Sequence, residues 1–220
     1  MIRTVVRGFG QTLITFGLVV MLFAGYEVYG KALQVGAEQK RLEGGLSAAW
    51  AHDNPKPEAR LPKPIKGKGM ARMYIPRLNK EWVVVEGTDP EDIRLAPGHY
   101  PASALPGQKG NFAIAGHRMP SVFWDLEKMQ NGDAIVVETA NQWIVYRVYR
   151  VHIVLPTEVG VVAPNPARPA AATGYRKLIT LTTCNPKWDN YERLIVHGEE
   201  SRVETKKPGV RPVELAAMKG

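Results

Sequence analysis

The chain has 220 residues, enough for one substantial domain with appendages or for two small domains. Its single cysteine excludes an internal disulfide framework, so a folded domain must be held together by its core. The formal net charge of +8 allows an acidic partner or surface. However, the basic residues concentrate in 31–72 and at the C-terminal end, where no recognition helix is predicted, and we therefore expect no nucleic-acid partner.

An apolar stretch at residues 9–29 is the first predicted element, with one charge, Glu27, near its far end. A helix that crosses a bilayer needs about 20 mostly apolar residues. Arg3 and Arg7 precede the stretch, so the positive-inside rule places the N-terminus in the cytoplasm. A cleaved signal peptide is the alternative, but no small-x-small cleavage site follows. We therefore expect residues 1–30 to form a single-pass plasma-membrane anchor, with the remaining chain outside the cell.

A stalk and a linker are predicted over residues 31–68. Residues 31–51 have a helix-forming composition interrupted by Gly44 and Gly45, and could extend the membrane helix as a stalk. The next stretch, HDNPKPEARLPKPIKGKG, is rich in proline, lysine and glycine. Such a composition cannot bury a core, so we expect a semi-rigid, solvated linker.

Short β-rich runs separated by turn residues fill residues 69–201. Valine, isoleucine, tyrosine and tryptophan dominate the runs, and glycine, proline, asparagine and aspartate separate them. The runs are ARMYIP, EWVVVEG, GNFAIAG, DAIVVETA, QWIVYRVYRVHIVLP, KLITLTTC and RLIVHGE. Seven or eight short strands predict a sandwich or a closed barrel, with SVFWDLEKMQ as a helical segment.

Two further segments show no periodicity. Residues 156–176 join two strands and contain four prolines, and loops of this length tend to be functional or mobile. Residues 202–220 are charged, and we predict that they form a basic, disordered tail.

Cys184 stands at the end of the apolar run LITLTTC. It could be a small buried hydrophobe, because free cysteine is among the most buried residue types. It could also be a nucleophile, which would need an acid–base partner and a group that stabilises an oxyanion. Arg193 begins the next strand, nine positions later, and could return beside the cysteine across a turn.

His117 is the histidine best placed to be the acid–base partner. It follows the fully apolar run NFAIAG, so its imidazole is expected at the rim of a strand, as the cysteine is. The other histidines are His52 in the linker, His99 after a loop glycine, and His152 and His197 within apolar runs. The two groups could meet if their strands are neighbours, which the sequence alone does not prove.

Three motifs in combination resemble the sortase family: TLTTCNP, the arginine of RLIVHGE nine positions after the cysteine, and FAIAGHR 67 positions before it. The similarity covers about residues 70–199. It implies an all-β fold, a closed eight-stranded sortase-type β-barrel with short helices, preceded by one N-terminal transmembrane helix. Sortases are membrane-anchored cysteine transpeptidases of Gram-positive bacteria.

The segment LAPGHYPASALPGQKGNFAIAGHR most resembles class E sortases. In that class a tyrosine at the position of Tyr100 is associated with preference for a LAxTG-type sorting signal, and class D is the competing assignment. After the histidine, class E members commonly continue with a glycine and a Pro-Phe pair, whereas this chain has HRMPSVFWDL. The departure lies in one wall of the expected substrate groove.

The resemblance implies a role for each site residue. Cys184 would attack the carbonyl between Thr and Gly of a sorting signal, His117 would protonate the leaving amine, and Arg193 would stabilise the oxyanion. The implied substrate-binding residues are Tyr100, Thr182 and Thr183, although the threonines could simply be β-branched strand formers. No metal or other cofactor is implied.

The implied partners are secreted proteins with a C-terminal sorting signal and an amine of a peptidoglycan precursor or of a pilin lysine. Three alternatives stay open. The chain could be a class D-like or pilin-polymerising sortase, a catalytically silent membrane-tethered binding module, or a simple cysteine hydrolase.

Overall fold

The computed structural model describes residues 2–26, 30–52, 63–167 and 176–218. Within these residues, eight strands close into a barrel in the order β1-β2-β3-β4-β7-β8-β6-β5, which confirms the predicted fold. Two α-helices precede the barrel, α1 at Ile2–Gly25 and α2 at Lys31–His52. The strands are β1 Gly69–Ile75, β2 Lys80–Glu86, β3 Gly98–His99, β4 Gly110–Ala115, β5 Ala134–Glu138, β6 Gln142–Val154, β7 Lys177–Asn185 and β8 Glu192–Thr205. The segment SVFWDLEKMQ forms turns and a short 3-10 helix at Leu126–Lys128.

Two of the strand pairs are parallel, β2 with β3 and β4 with β7, and the other pairs around the barrel are antiparallel. The β4–β7 pairing runs from Gly110 opposite Lys177 to Ala115 opposite Thr182. Parallel strands bring their carboxyl ends to the same edge of a sheet, so the residues that follow these two strands emerge side by side.

Alternate side chains of β4 and β7 fill the barrel interior. Phe112 and Ile114 of β4 and Ile179 and Leu181 of β7 belong to the main core and are almost completely buried. Successive strand residues point to opposite faces, so Thr180 and its neighbours at even spacing lie on the outer face. Thr180 is also buried, because other segments cover this outer face. Because both faces of these strands are covered, apolar and polar residues do not alternate regularly along them in the sequence.

Helix α2 packs against the barrel and does not form the free stalk that the sequence suggested. Leu42 and Leu46, spaced i and i+4, are 4% and 3% exposed and form a cluster with Val83, Val85 and Ala96. On the same helix face, Gln39 accepts a hydrogen bond from the backbone N–H of Val83 through Oε1, at 2.7 Å. The helix runs unbroken through the two glycines at 44 and 45, which are exposed on its solvent side.

The C-terminal segment is ordered as far as residue 218, in contrast to the predicted disordered tail. Strand β8 continues to Thr205, and Leu215, 3% exposed, packs in a cluster with Tyr74 and Trp143. The buried carboxylate of Glu214 accepts hydrogen bonds from Arg147 at 2.5 Å and from Arg202 at 2.7 Å. These contacts join residues that are distant in sequence, so periodicity within 202–220 does not reveal them. The packed unit therefore extends beyond the predicted domain limits of 69–201.

Helix α1 has 24 residues, none of them buried, and is long and apolar enough to cross a membrane. Its length of about 36 Å, at 1.5 Å per residue, exceeds a hydrocarbon core of about 30 Å. The helix begins at Ile2, ahead of the predicted apolar stretch, and so includes both leading arginines. The end of that stretch at 27–29, most of the predicted linker at 53–62, and 168–175 of the long loop lie outside the described residues.

The packing of α2 predicts that Leu42→Ala destabilises the protein. Truncating a buried leucine to alanine costs about 2–5 kcal/mol. The protein loses the free energy of burying the removed methyl groups, and the cavity left behind adds a further cost. The measurement is the free energy of unfolding of the full chain in detergent. Leu33→Ala is the matched control, since Leu33 lies on the same helix and is 75% exposed, and it should change stability by less than about 0.5 kcal/mol. Equal stabilities for the two variants would contradict the docking of α2.

Candidate active site

The carboxyl ends of β4 and β7 bring a histidine and the cysteine to the same edge of the barrel. The backbone N–H of Gly116 donates to the carbonyl oxygen of Thr182 at 3.0 Å, which continues the ladder one residue past Ala115. His117 and Cys184 each lie two residues beyond the last paired positions, Ala115 and Thr182. The structure thus supplies the adjacency that the sequence left open.

A glycine is required immediately before the histidine. A Cβ at Gly116 would lie 2.6 Å from the ring of Phe123, closer than side chains approach one another. The ring belongs to the turn that follows β4, whose first hydrogen bond runs from the N–H of Phe123 to the carbonyl of His117 at 3.1 Å. This close packing lets the chain turn at His117 and present the imidazole at the edge.

Arg193 is the residue opposite Cys184 in the antiparallel pairing of β7 with β8. Its Nη1 donates to the carbonyl oxygens of Asn190 and Glu192 at 2.6 and 2.7 Å, which holds the side chain against the loop between the two strands. A guanidinium carries three further N–H donors on Nε and Nη2. The side chain is therefore oriented by its own loop and keeps donors for another acceptor.

A groove of about 610 Å³ runs past the cysteine. Its walls come from the turn after β4, from the loop between β7 and β8, from the segment before β3 and from helix α2. The lining residues are Gln34, Arg94, Leu95, His117, Arg118, Met119, Cys184, Trp188, Asp189 and Asn190. The helix that follows the predicted membrane anchor thus contributes to the same groove as the nucleophile candidate.

Other histidines in the described part of the chain occupy different environments from His117. His197 is 3% exposed and its Nδ1 lies 2.8 Å from Oγ1 of Thr180. Burial, together with the neighbouring His152 and Arg150, lowers the pKa of His197 to about 4, so this ring is neutral at neutral pH. Burial also lowers the pKa of His152. His117, in contrast, is exposed and lines the same groove as Cys184.

The structure brings two of the three predicted substrate-contacting residues to the outer face that carries the cysteine. Thr182 precedes Cys184 by two positions and shares its face of β7. The phenol of Tyr100 lies 3.2 Å from Oγ1 of Thr182. Thr183 lies on the opposite face and is 3% exposed, and its Oγ1 is buried without a hydrogen-bond partner among the described residues. The predicted substrate contact of Thr183 is therefore not supported, because strand alternation turns its side chain away from the cysteine.

The long loop after β6 begins on this same outer face. Nδ2 of Asn111 donates to the carbonyl oxygen of Ala163 at 3.1 Å, and its Oδ1 accepts from the hydroxyl of Thr180 at 2.8 Å. These bonds hold the first half of the loop over the outer face of β4 and β7, next to Thr180, which lies two residues before Thr182. The described part of the loop is thus held against β4, and none of its residues is among those that line the groove at the cysteine.

Arg118 is a site residue that the sequence reasoning missed. Its side chain is 5% exposed, and Nη1 donates to the carbonyl oxygen of Cys184 at 3.2 Å and to Oδ1 of Asn185 at 2.8 Å. Nη2 donates to Glu127 at 2.8 Å. The arginine therefore ties the turn after His117 to the backbone of the cysteine. The only sequence signal was its place directly after His117 in GHR.

Family comparisons agree with this geometry. The Sortase domain model matches residues 73–201, more than half of the chain. The chain belongs to the sortase family. Two curated relatives from Streptomyces coelicolor, Sortase SrtE1 and Sortase SrtE2, are each 32% identical to it over 88% and 89% of its length. The chain spans 56% of SrtE1 and 81% of SrtE2.

A solved structure gives the same result for the fold. Sortase E1 from Streptomyces coelicolor, with a tripeptide in its active site, is 32% identical, with a TM-score of 0.61 over 68% of this chain and 97% of that one. The predicted resemblance to class E is confirmed by these sortase E relatives. Sortases are cysteine transpeptidases, and the cysteine of this chain stands at the edge described above.

The contacts of Arg118 predict that Arg118→Gln lowers both stability and peptide transfer. Hydrogen bonds to charged groups contribute about 1.5–3 kcal/mol each, so we expect a loss of at least that size in the free energy of unfolding. Transfer should fall by about 10- to 100-fold, because displacing the nucleophile by an ångström has a cost of that order. The control is Arg77→Gln, an exposed arginine 3.8 Å from Asp133, which should leave both quantities nearly unchanged. Full activity in Arg118→Gln would show that the bond to the cysteine carbonyl has no catalytic consequence.

Proposed function

We propose that this sortase cleaves a LAxTG-like sorting signal between Thr and Gly and transfers the acyl group to an amine of a cell-wall precursor. One observation carries the proposal: the parallel register of β4 and β7 sets His117 and Cys184 at one edge, with Arg193 paired across from the cysteine. Those three side chains supply a nucleophile, a proton donor and an anion-stabilising cation. This set is what an acyl transfer through a thioester requires.

The reaction proceeds in two halves. The thiolate of Cys184 attacks the Thr carbonyl, and the oxyanion that forms accepts hydrogen bonds from Arg193. His117 protonates the departing glycine amine, which leaves a thioester on the cysteine. An incoming amine then attacks the thioester, His117 accepts its proton, and the thiolate is released. Two low barriers replace the one high barrier of a direct amide exchange.

The signal specificity is proposed to depend on Tyr100 and Thr182. Their hydroxyls lie 3.2 Å apart on the face that leads to Cys184, so a peptide along this face would meet the phenol, which the buried hydroxyl of Thr182 contacts from behind. Tyrosine offers a hydrogen bond together with an apolar ring. Alanine at the second signal position keeps a backbone N–H, which proline lacks. That a tripeptide occupies the active site of the similar Sortase E1 supports peptide entry into a site of this kind.

The cellular arrangement is also part of the proposal. Helix α1 would hold the chain in the plasma membrane with its N-terminus in the cytoplasm and the barrel outside, as the arginines at 3 and 7 favour. The protein substrates would then be secreted proteins that carry the signal at their C-terminus. The acceptor would be an amine of a peptidoglycan precursor, with a pilin lysine as the second candidate.

We predict that the wild-type chain joins a LAxTG peptide to an added amine and that Cys184→Ala gives no product. Removing one sulfur atom from a half-exposed side chain should leave the unfolding transition nearly unchanged. The measurement is mass spectrometry of products formed with triglycine, with a lysine side-chain amine and without amine. Preference between the amines separates a cell-wall acceptor from a pilin acceptor. Free acid at the same rate with and without amine would indicate a hydrolase, and no turnover at all would indicate a silent binding module.

The contact between Tyr100 and Thr182 predicts that substitutions at these two residues have non-additive effects on the preference for LAxTG over LPxTG peptides. The wild-type chain should process LAxTG faster than LPxTG, and Tyr100→Phe should reduce that preference several-fold, since one hydrogen bond contributes about 0.5–1.5 kcal/mol. Thr182→Val removes the partner hydroxyl with little change in shape and should have a similar effect. The double variant should lose little more than either single variant, as expected for a directly interacting pair. Equal rates of the two peptides with the wild-type chain would refute the proposed signal.

A further inference from the structure

A chain of polar groups lies behind Tyr100 and takes no part in the proposed chemistry. Oε2 of Glu86, at the end of β2, is 2.6 Å from Nδ1 of His99 in β3. Nε2 of His99 lies 2.9 Å from the hydroxyl of Ser103 and 3.1 Å from the carbonyl oxygen of Ala104. Both ring nitrogens of a buried histidine are therefore engaged, one of them by a carboxylate.

Burial makes these contacts strong constraints on position. His99 is 1% exposed and the Glu86 side chain is 11% exposed. A buried ionisable group that loses its partner carries a large desolvation cost, so carboxylate and ring stay together. The backbone reinforces the contact: Glu86 and His99 are opposite residues in the parallel β2–β3 pair. A Cβ at Gly98 would lie 2.0 Å from the carbonyl oxygen of Gly87, so only glycine allows this close approach.

Ser103, at the other end of this chain of polar groups, closes the turn that begins at Tyr100. The N–H of Ser103 donates to the carbonyl of Tyr100 at 2.8 Å, and Pro101 occupies the second turn position, where its fixed φ is favourable. The turn is joined to β4 at two points. The N–H of Tyr100 donates to the carbonyl of Ala113 at 3.0 Å, and the N–H of Ala113 donates to the hydroxyl of Ser103 at 3.1 Å.

We propose that Glu86, His99 and Ser103 are positioning residues that set the signal selectivity by fixing Tyr100 against Thr182. The inference rests on the proposed function of Tyr100 and extends it to groups that never touch the peptide. The carboxylate orients the imidazole, the imidazole orients the serine hydroxyl, and the hydroxyl locks the turn onto β4. The phenol of Tyr100 is thereby held against Thr182, which lies two residues before Cys184 on the outer face of β7.

Serine, histidine and glutamate are also the residue types of a nucleophilic triad. Two observations favour positioning over reactivity. The hydroxyl of Ser103 already accepts the N–H of Ala113, and the histidine is almost inaccessible to solvent.

The test compares Ser103→Ala with Ser103→Thr in the full chain in detergent. Ser103→Ala should reduce the LAxTG-over-LPxTG preference several-fold, through a higher KM for LAxTG, while alkylation of Cys184 by iodoacetamide keeps its wild-type rate. Ser103→Thr retains the hydroxyl and should retain most of the preference. In a Tyr100→Phe background, Ser103→Ala should have little further effect. Ser201→Ala is the matched control, because that exposed serine also bonds a backbone group, the carbonyl of Val145 at 3.0 Å.

An unchanged preference in Ser103→Ala would overturn the proposal, as would an equal loss for both peptides. A second readout is independent of activity: hydrogen exchange at the Ala113 amide should become faster in Ser103→Ala and in Glu86→Gln, and unchanged exchange in both would refute the positioning role. Labelling of Ser103 by a fluorophosphonate would identify a nucleophile instead and would also overturn it. Lack of any peptide preference in the wild-type chain would refute the proposed signal, whereas the exchange experiment would still decide whether the turn is held as described.

Discussion

The parallel pairing of β4 with β7 is the constraint on which the proposed catalytic arrangement depends. Side chains alternate along a strand, so a shift of one residue in this pairing would move Cys184 from the outer face to the interior. The register is held by interior residues of both strands, among them Ile114 and Leu181, which are fully buried. The same packing that stabilises the barrel therefore also places the thiol beside His117.

Around that edge, further contacts restrict the remaining freedom. Arg118 fixes the carbonyl of the cysteine, and the carbonyls of the β7–β8 loop fix Arg193. On the outer face, Asn111 binds both β7 and the start of the long loop. Each of these groups is held by hydrogen bonds formed before any substrate arrives, which is the kind of preorganisation that acyl transfer requires.

The β-rich fold could be predicted, and the candidate site residues could be proposed, because their signals are local. Short β-rich runs and turn residues indicated a sandwich or a closed barrel, and the resemblance to sortases implied the barrel. Cys184 and His117 could be singled out because each follows an apolar run. Strand parity also separates Thr183 from Thr182, a signal present in TLTTC that the sequence reasoning did not use. Once one threonine shares a face with the cysteine, the other must lie on the opposite face.

The errors concern contacts between distant parts of the chain. The packing of α2 depends on Leu42 and Leu46 meeting the outer face of β2, and no pattern within the helix identifies that surface. The C-terminal segment is held by Glu214 and Leu215, each of which bonds or packs with strands far away in sequence. The role of Arg118 likewise becomes visible only when the two strand ends are known to be neighbours.

If Cys184 carries the acyl group during transfer, mass spectrometry of a digest of the full chain should find the group on that cysteine. The chain is mixed with a LAxTG peptide in the absence of amine, quenched in acid and digested. We expect the signal peptide, without its terminal glycine portion, to be attached to the proteolytic fragment that contains Cys184 and to be released by hydroxylamine. An adduct on another residue, or rapid peptide cleavage without any adduct in the Cys184→Ala variant, would contradict this expectation.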